Sequence, residues 1–317
     1  MGLARDLVFW LSQQKGVTDA IARRGMRHGF ARRFVAGETL EEALTASAEL
    51  NRAGRQVSLN HLGENVMTRE AAEGVMRSYV AETRALHNAG IDGNISIKLT
   101  QLGLDLDKGF CEQLTMEIAA AAKELERSIE IDMEGTPYTD ATLDIFEAVR
   151  RRYSDVCLAM QAYLLRTEKD IERLAALRPK IRLVKGAYRE PPAMAIQKKS
   201  EVDAAYERLL GRLLGGSFWA AIATHDPAMH GVARELIRQR GLRPGQYEFQ
   251  MIYGVRRDLQ EQLVRGGHPL RVYVPFGTEW CPYFMRRLAE RPANCWFVMR
   301  SLIAEGIKPH TSANGRR

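Results

Sequence analysis

The sequence predicts an α/β fold, a parallel (β/α)8 barrel of the TIM type. Eight short apolar runs rich in Val, Ile and aromatic residues alternate with segments of helical period. The repeating part spans about residues 55 to 290 of 317, which matches the ~250 residues such a barrel needs. Polar side chains recur at the C-terminal ends of the runs, the face where barrels of this kind carry their chemistry. The rival arrangement, a doubly wound open sheet, lacks its sign: no G-x-G-x-x-G follows the first strand.

The strands are expected at QVSLNHLGE (56–64), NISIKLTQLG (94–103), SIEIDMEG (128–135), DVCLAMQAY (155–163), KIRLVKGAY (180–188), WAAIATHD (219–226), YEFQMIYG (247–254) and LRVYVPFG (270–277). Each is a buried run that stops at polar residues or glycine. Between them, TREAAEGVMRSYVAETRALHNAG, DKGFCEQLTMEIAAAAKELERS and TDATLDIFEAVRRRYS read as amphipathic helices. Thr139 and Asp140 mark a helix start and Gly90 a C-terminal stop. Residues 1–52 are expected to be a helical extension that covers one end or an outer face of the barrel. The barrel and its C-terminal helix are expected over 53–307, and a disordered tail over 308–317.

Net charge is +7, with 45% hydrophobic residues. The basic excess is compatible with an anionic substrate or membrane surface. There is no long basic run interleaved with aromatics, which argues against nucleic acid. Four scattered cysteines (Cys111, Cys157, Cys281, Cys295) show no C-x-x-C spacing, so a reducing, cytoplasmic compartment is expected. No apolar run approaches the ~20 residues that span a bilayer. His225 and His230 are not at helical metal-pair spacing, and no metal is expected.

Taken in order, the strand ends carry Asn60 and His61, Lys98, Asp132 and Glu134, Gln161, Lys185 and Tyr188, His225 and Asp226, Gln250 and Tyr253, and Tyr273. So many polar groups inside apolar runs are expensive to bury singly and read as one site. Lys98 either snorkels to the rim or pairs with Asp132, which would hold it charged. A charged lysine suits an anionic substrate, and a neutral one suits Schiff-base chemistry. Gly186 is a tight turn or a place where backbone approaches a planar ligand. In PYFMRRLAERPAN (282–294), Arg286 and Arg287 lie about 100° apart on the helix that follows the eighth strand. Across the barrel mouth, that helix could aim both guanidiniums at one carboxylate, braced by Glu290, with Tyr283 as a wall. The bland alternative is a solvated basic face.

These residues in this order resemble the proline dehydrogenase family. The resemblance covers most of the chain, through SIKLTQLGLDLD, IDMEGTPYTD, QAYL, IRLVKGAYREP, ATHD, YEFQMIYGVR, VYVPFGTEW and YFMRRLAERPAN. It implies a distorted (β/α)8 barrel with N-terminal helices and the eighth helix over the mouth. It implies FAD, held without a Rossmann fingerprint by Asp132, Gln161, Arg182, Val184, Gly186, Ala187, Thr224, His225 and Phe297. It implies L-proline as substrate, its carboxylate held by Lys98, Arg286 and Arg287. Tyr188, Ile252, Tyr273 and Tyr283 would wall the ring, and Glu290 would order the arginines. Lys98, Asp132, Arg286 and Arg287 are the catalytic set on this reading.

The implied product is Δ1-pyrroline-5-carboxylate, with electrons passed to a quinone, peripheral contact with the membrane, and a separate dehydrogenase for the product. Ile252 and Cys281 depart from the commoner leucine and tyrosine. The competing readings are a Schiff-base aldolase using Lys98 or Lys185, and a catalytically silent binding barrel.

Overall fold

A computed structural model describes residues 31–63 and 66–280. Arg32–Thr278 make up one compact unit; the segments on either side fall almost wholly outside the described residues. Eight parallel strands close in chain order: β1 (Gln56–His61), β2 (Gly93–Ile97), β3 (Ile129–Ile131), β4 (Val156–Gln161), β5 (Lys180–Val184), β6 (Trp219–Ala223), β7 (Tyr247–Ile252) and β8 (Leu270–Phe276). The strands are shorter than the apolar runs. Lys98 and Asp132 are therefore the first residues beyond β2 and β3 rather than strand residues.

The helices are α1 (Leu40–Arg52), α2 (Arg69–Asn88), α3 (Lys108–Glu124), α4 (Thr139–Arg152), α5 (Thr167–Leu174), α6 (Lys199–Gly215), α7 (Pro227–Gln239) and α8 (Arg257–Arg265). Helix α1 packs on β8 and β1 and touches α2. It fills the place in the helical ring where the sheet closes. Its start is a capping box, with the Thr39 hydroxyl accepting from the Glu42 amide and the Glu42 carboxylate returning to Thr39. Thr68 and Asp107 cap α2 and α3 in the same side-chain manner. Helix α4 does begin at Thr139, but it grows from a 3-10 turn, Thr136–Tyr138, without a side-chain cap. Gly90 takes a left-handed φ of 62° just past α2, as a helix stop requires. No helix among the described residues is long and apolar enough to cross a membrane.

Hydrogen bonds between non-adjacent strands can only cross the lumen, so they reveal which side chains point inward. Ser58 reaches Glu130, Arg182 reaches Ser96 and Glu130, and Gln250 reaches Glu130. With a side-chain period of two, the residues between them must face the helices. Val57, Leu59, Ile95, Ile97, Ile129, Ile131, Leu183 and Met251 do so, and all are buried in the apolar core. That core is a shell between sheet and helices, with each fully buried Leu or Ile contributing ~1.5–3 kcal/mol. The lumen is polar, whereas barrels of this class usually fill it with branched apolar side chains.

Candidate active site

A chain of linked charged and polar side chains runs along the barrel axis. At its lower end, Arg271 donates from Nε to the Glu248 carboxylate (2.8 Å) and from Nη1 to the Val57 carbonyl (3.0 Å). Gln250 uses its amide nitrogen to join Glu248 (2.7 Å) to Glu130 (2.5 Å). Arg182 then bridges Glu130 (2.7 Å) and Asp132. At the mouth, Asp132 accepts from four donors: Ser96 (2.6 Å), Arg182, Lys98 (2.5 Å) and the Tyr273 hydroxyl (2.9 Å). Both Asp132 oxygens are saturated. The Arg182 guanidinium also lies 5.6 Å from the centre of the Tyr273 ring.

Three cations, Lys98, Arg182 and Arg271, thus face three carboxylates, Glu130, Asp132 and Glu248. Burial penalises the charges of Lys98, Asp132, Arg182 and Arg271, but the pairing outweighs it. Burial would raise the Asp132 carboxyl; Lys98 and Arg182 hold it well below the usual range. Burial would likewise lower the Lys98 ammonium, and Asp132 holds it well above its ordinary value. Lys98 is therefore a fixed positive charge at the barrel mouth. A Schiff-base lysine has to be neutral to attack a carbonyl, so this environment opposes the aldolase reading of Lys98.

Around this centre the strand ends form a rim. Ile252 and Tyr273 are register partners on β7 and β8. The Ile252 amide donates to His225 Nε2 (2.8 Å), which places the ring proton on Nδ1. Gln161 is 1% exposed. Its nitrogen donates to the Glu134 carbonyl (3.0 Å), and its oxygen accepts from the Ala187 amide (3.2 Å). Tyr163 donates to the Tyr188 carbonyl (3.1 Å). The segment Gly186–Tyr188 is thereby held open to solvent at the end of β5. Gly186 has a φ of 132°, and an added Cβ would run into the Tyr163 ring. The close approach that glycine permits here is to Tyr163. Gly186→Ala is expected to cost ~1–3 kcal/mol, seen as a lower thermal unfolding midpoint. An unchanged midpoint would show that the loop re-forms without strain.

Not all the strand-end polar residues join this site, which corrects their reading as one set. His61 turns away from the lumen to the buried Glu82 on α2 (2.9 Å). Glu134 accepts from the Thr100 amide and hydroxyl (3.1 and 2.7 Å). Lys185 pairs with Asp203 on α6 and with Asp226 (2.7 Å), outside the strand ring. Asp226 caps α7 through the Ala228 amide, and Lys185 keeps its carboxyl low, at about 2, against the opposing effect of burial. The Thr224 hydroxyl accepts from the Asp226 amide. His230 bonds the Thr224 carbonyl (2.9 Å) and meets the Phe249 ring edge-on. Val184 is partly buried at the end of β5. Tyr283, Arg286, Arg287, Glu290 and Phe297 lie outside the described residues, as does Cys281.

Glu130, Glu248, Arg271, Ser58 and Ser96 were not anticipated. Their sign was in the sequence: a charge or hydroxyl flanked by apolar residues in IEI, YEF, LRV, VSL and ISI.

The chain matches the family model described as proline dehydrogenase over residues 43–300. It is 36% identical over 302 residues to Proline dehydrogenase 1 of Bacillus subtilis strain 168, covering 95% of this chain and 99% of that protein. Proline dehydrogenase of Deinococcus radiodurans is also 36% identical, over 307 residues, with 95% and 98% covered. Bifunctional protein PutA of Escherichia coli K12 is 29% identical, and the alignment takes in 90% of this chain but 25% of that longer protein. Among solved structures, proline utilization A of Bdellovibrio bacteriovorus, inactivated by N-propargylglycine, superposes with a TM-score of 0.76 at 23% identity. That superposition covers 82% of this chain and 32% of that one, and it supports the barrel fold.

Proposed function

The chain belongs to the proline dehydrogenase family, and from that premise we propose how the mouth of its barrel oxidises L-proline in the first step of proline catabolism. The observation that carries the reading is Lys98, a partly buried ammonium kept protonated by Asp132 at the mouth. A permanently positive group there suits a substrate carboxylate. Arg286 and Arg287 complete the clamp on this proposal, with Glu290 ordering them. Tyr273 and Ile252 form one wall of the ring pocket, with Tyr188 and Tyr283 closing it. Holding the ring in one pose supplies the proximity that the reaction needs.

The residues fit FAD. Gly186–Tyr188 present open backbone, Gln161 and Tyr163 hold that backbone in place, and His225 carries its proton on Nδ1 as a donor. Val184, Ala187, Thr224, Asp132, Arg182 and Phe297 complete the proposed cofactor contacts. When bound, the flavin supplies the two-electron acceptor for hydride leaving the carbon beside the ring nitrogen. The protein's own part is to fix the carboxylate, to align that carbon and to exclude water. The ring nitrogen must give up a proton for Δ1-pyrroline-5-carboxylate to form, so turnover rises with pH. We further propose a quinone as the onward acceptor, met peripherally at the cytoplasmic face of the membrane, and a separate dehydrogenase that consumes the product.

The test is a visible spectrum. The FAD-loaded protein should be yellow and should bleach on adding L-proline without oxygen. Arg287→Met should raise KM for proline by ~100-fold or more while FAD stays bound, because a charge-assisted bidentate contact is worth ~3 kcal/mol. A protein that takes up no FAD, or an unchanged KM in the variant, overturns the reaction or the clamp respectively.

A further inference from the structure

Asn60 is a polar side chain in the lumen with an unused acceptor. It is 1% exposed. Its Nδ2 donates to the Ser96 carbonyl (3.4 Å), and its Oδ1 has no hydrogen-bond partner among the described residues. The amide cannot be turned round, since Oδ1 would then face a carbonyl oxygen. A buried amide oxygen left without a donor costs ~1–3 kcal/mol, so this one calls for an explanation, and a donor from outside the chain is the one its position suggests.

The position is informative. Asn60 follows Ser58 at the two-residue period of β1, and Ser58 reaches Glu130 across the lumen. Asn60 therefore faces the lumen one pleat nearer the mouth. Its strand lies between β2, which leads into Lys98, and β8, which carries Tyr273. The Lys98 ammonium stands 3.4 Å from the Tyr273 hydroxyl. Neighbouring acceptors are already engaged. Asp132 accepts four donors. Glu130 accepts from Ser58, Arg182 and Gln250. The Tyr273 hydroxyl gives its proton to Asp132 and accepts from Lys98.

A cyclic amino acid whose carboxylate is drawn to Lys98 brings a second polar group, its ring N–H. We propose that Asn60 Oδ1 accepts that N–H and is a further substrate-binding residue, one that selects a ring amine over an isosteric ring ether. The inference rests on the reading of the substrate given above. The carboxylate clamp holds the substituent on one ring carbon and Asn60 the ring nitrogen beside it, so the two together orient the carbon on the far side of that nitrogen, the one to be oxidised.

The experiment compares two ligands on the FAD-loaded enzyme: L-proline, and tetrahydrofuran-2-carboxylate, which has oxygen in place of N–H. The first is measured by the concentration dependence of anaerobic bleaching, the second by competitive inhibition. Asn60→Leu should raise the proline dissociation constant about tenfold, ~1.4 kcal/mol, and change that of the ring ether less than twofold. Asn60→Asp keeps an acceptor and should widen the preference for proline over the ether. If Asn60→Leu weakens both ligands equally, the role is packing. If it weakens neither, Oδ1 meets only water, and the proposal falls in either case. Where one variant fails to fold, the other decides: an unchanged or narrowed preference in Asn60→Asp also overturns it. Absence of bleaching in the unaltered enzyme would instead refute the substrate reading.

Discussion

Asp132→Asn should lower kcat/KM for proline by about two orders of magnitude or more and give proline binding a new dependence on alkaline pH. Asp132 is the anion that holds the Lys98 ammonium, at 2.5 Å. Without that charge, burial becomes the dominant influence on Lys98 and drives its pKa down. The variant's KM should then climb with pH as Lys98 loses its proton, where the unaltered enzyme's clamp stays charged. Stability should fall as well, by ~3 kcal/mol near neutral pH, because the buried Arg182 and the partly buried Lys98 both lose a partner.

The sign with pH follows from the shifts. The Asp132 pKa is lowered in the folded state, so its contribution is full above the unfolded carboxyl value of ~4 and fades as pH falls through the folded value. The Lys98 pKa is raised, so the same pair is full below the unfolded value of ~10.4 and fades as pH climbs through the folded value. The gap between Asp132→Asn and the unaltered enzyme should be widest between those limits and close on acidification. Denaturant unfolding across pH measures it. A gap independent of pH would show that the pair contributes nothing through its charge.

Arg182→Met is the second large effect, expected to destabilise the fold by ~3–5 kcal/mol. Arg182 is 5% exposed and joins Glu130 to Asp132. Its removal leaves two carboxylates facing one lumen without the cation between them. One of them should then take up a proton near neutral pH, so the variant should gain stability relative to the unaltered protein as pH falls. Adding Glu130→Gln should recover part of the loss, since removing both partners of a buried pair costs less than removing one. Strict additivity of the two substitutions would mean that the network is not energetically coupled.

The charged lumen also explains how far the sequence could be read. The eight βα units, their order and the apolar shell are local properties. The two-residue period of VSL, ISI, IEI and IRL assigns each side chain to a face from its own strand, and α1's capping box is written within four residues. The pairing of Lys98 with Asp132 was foreseeable too, because they follow neighbouring strands. The family motifs added which of these residues to watch.

What the sequence could not settle is which polar groups meet. Lys98 and Lys185 sit alike at the ends of apolar runs, yet one turns to Asp132 at the mouth and the other to Asp203 on α6. Arg182 and Gln250 each find Glu130 across the lumen, over separations of 52 and 120 residues. Asn60 Oδ1 finds no donor among the described residues. Strand alternation chooses a face within one strand, but closure of the sheet chooses the neighbours across it. The position of every cross-barrel contact depends on the combined stagger of eight strands, a quantity that no single segment encodes.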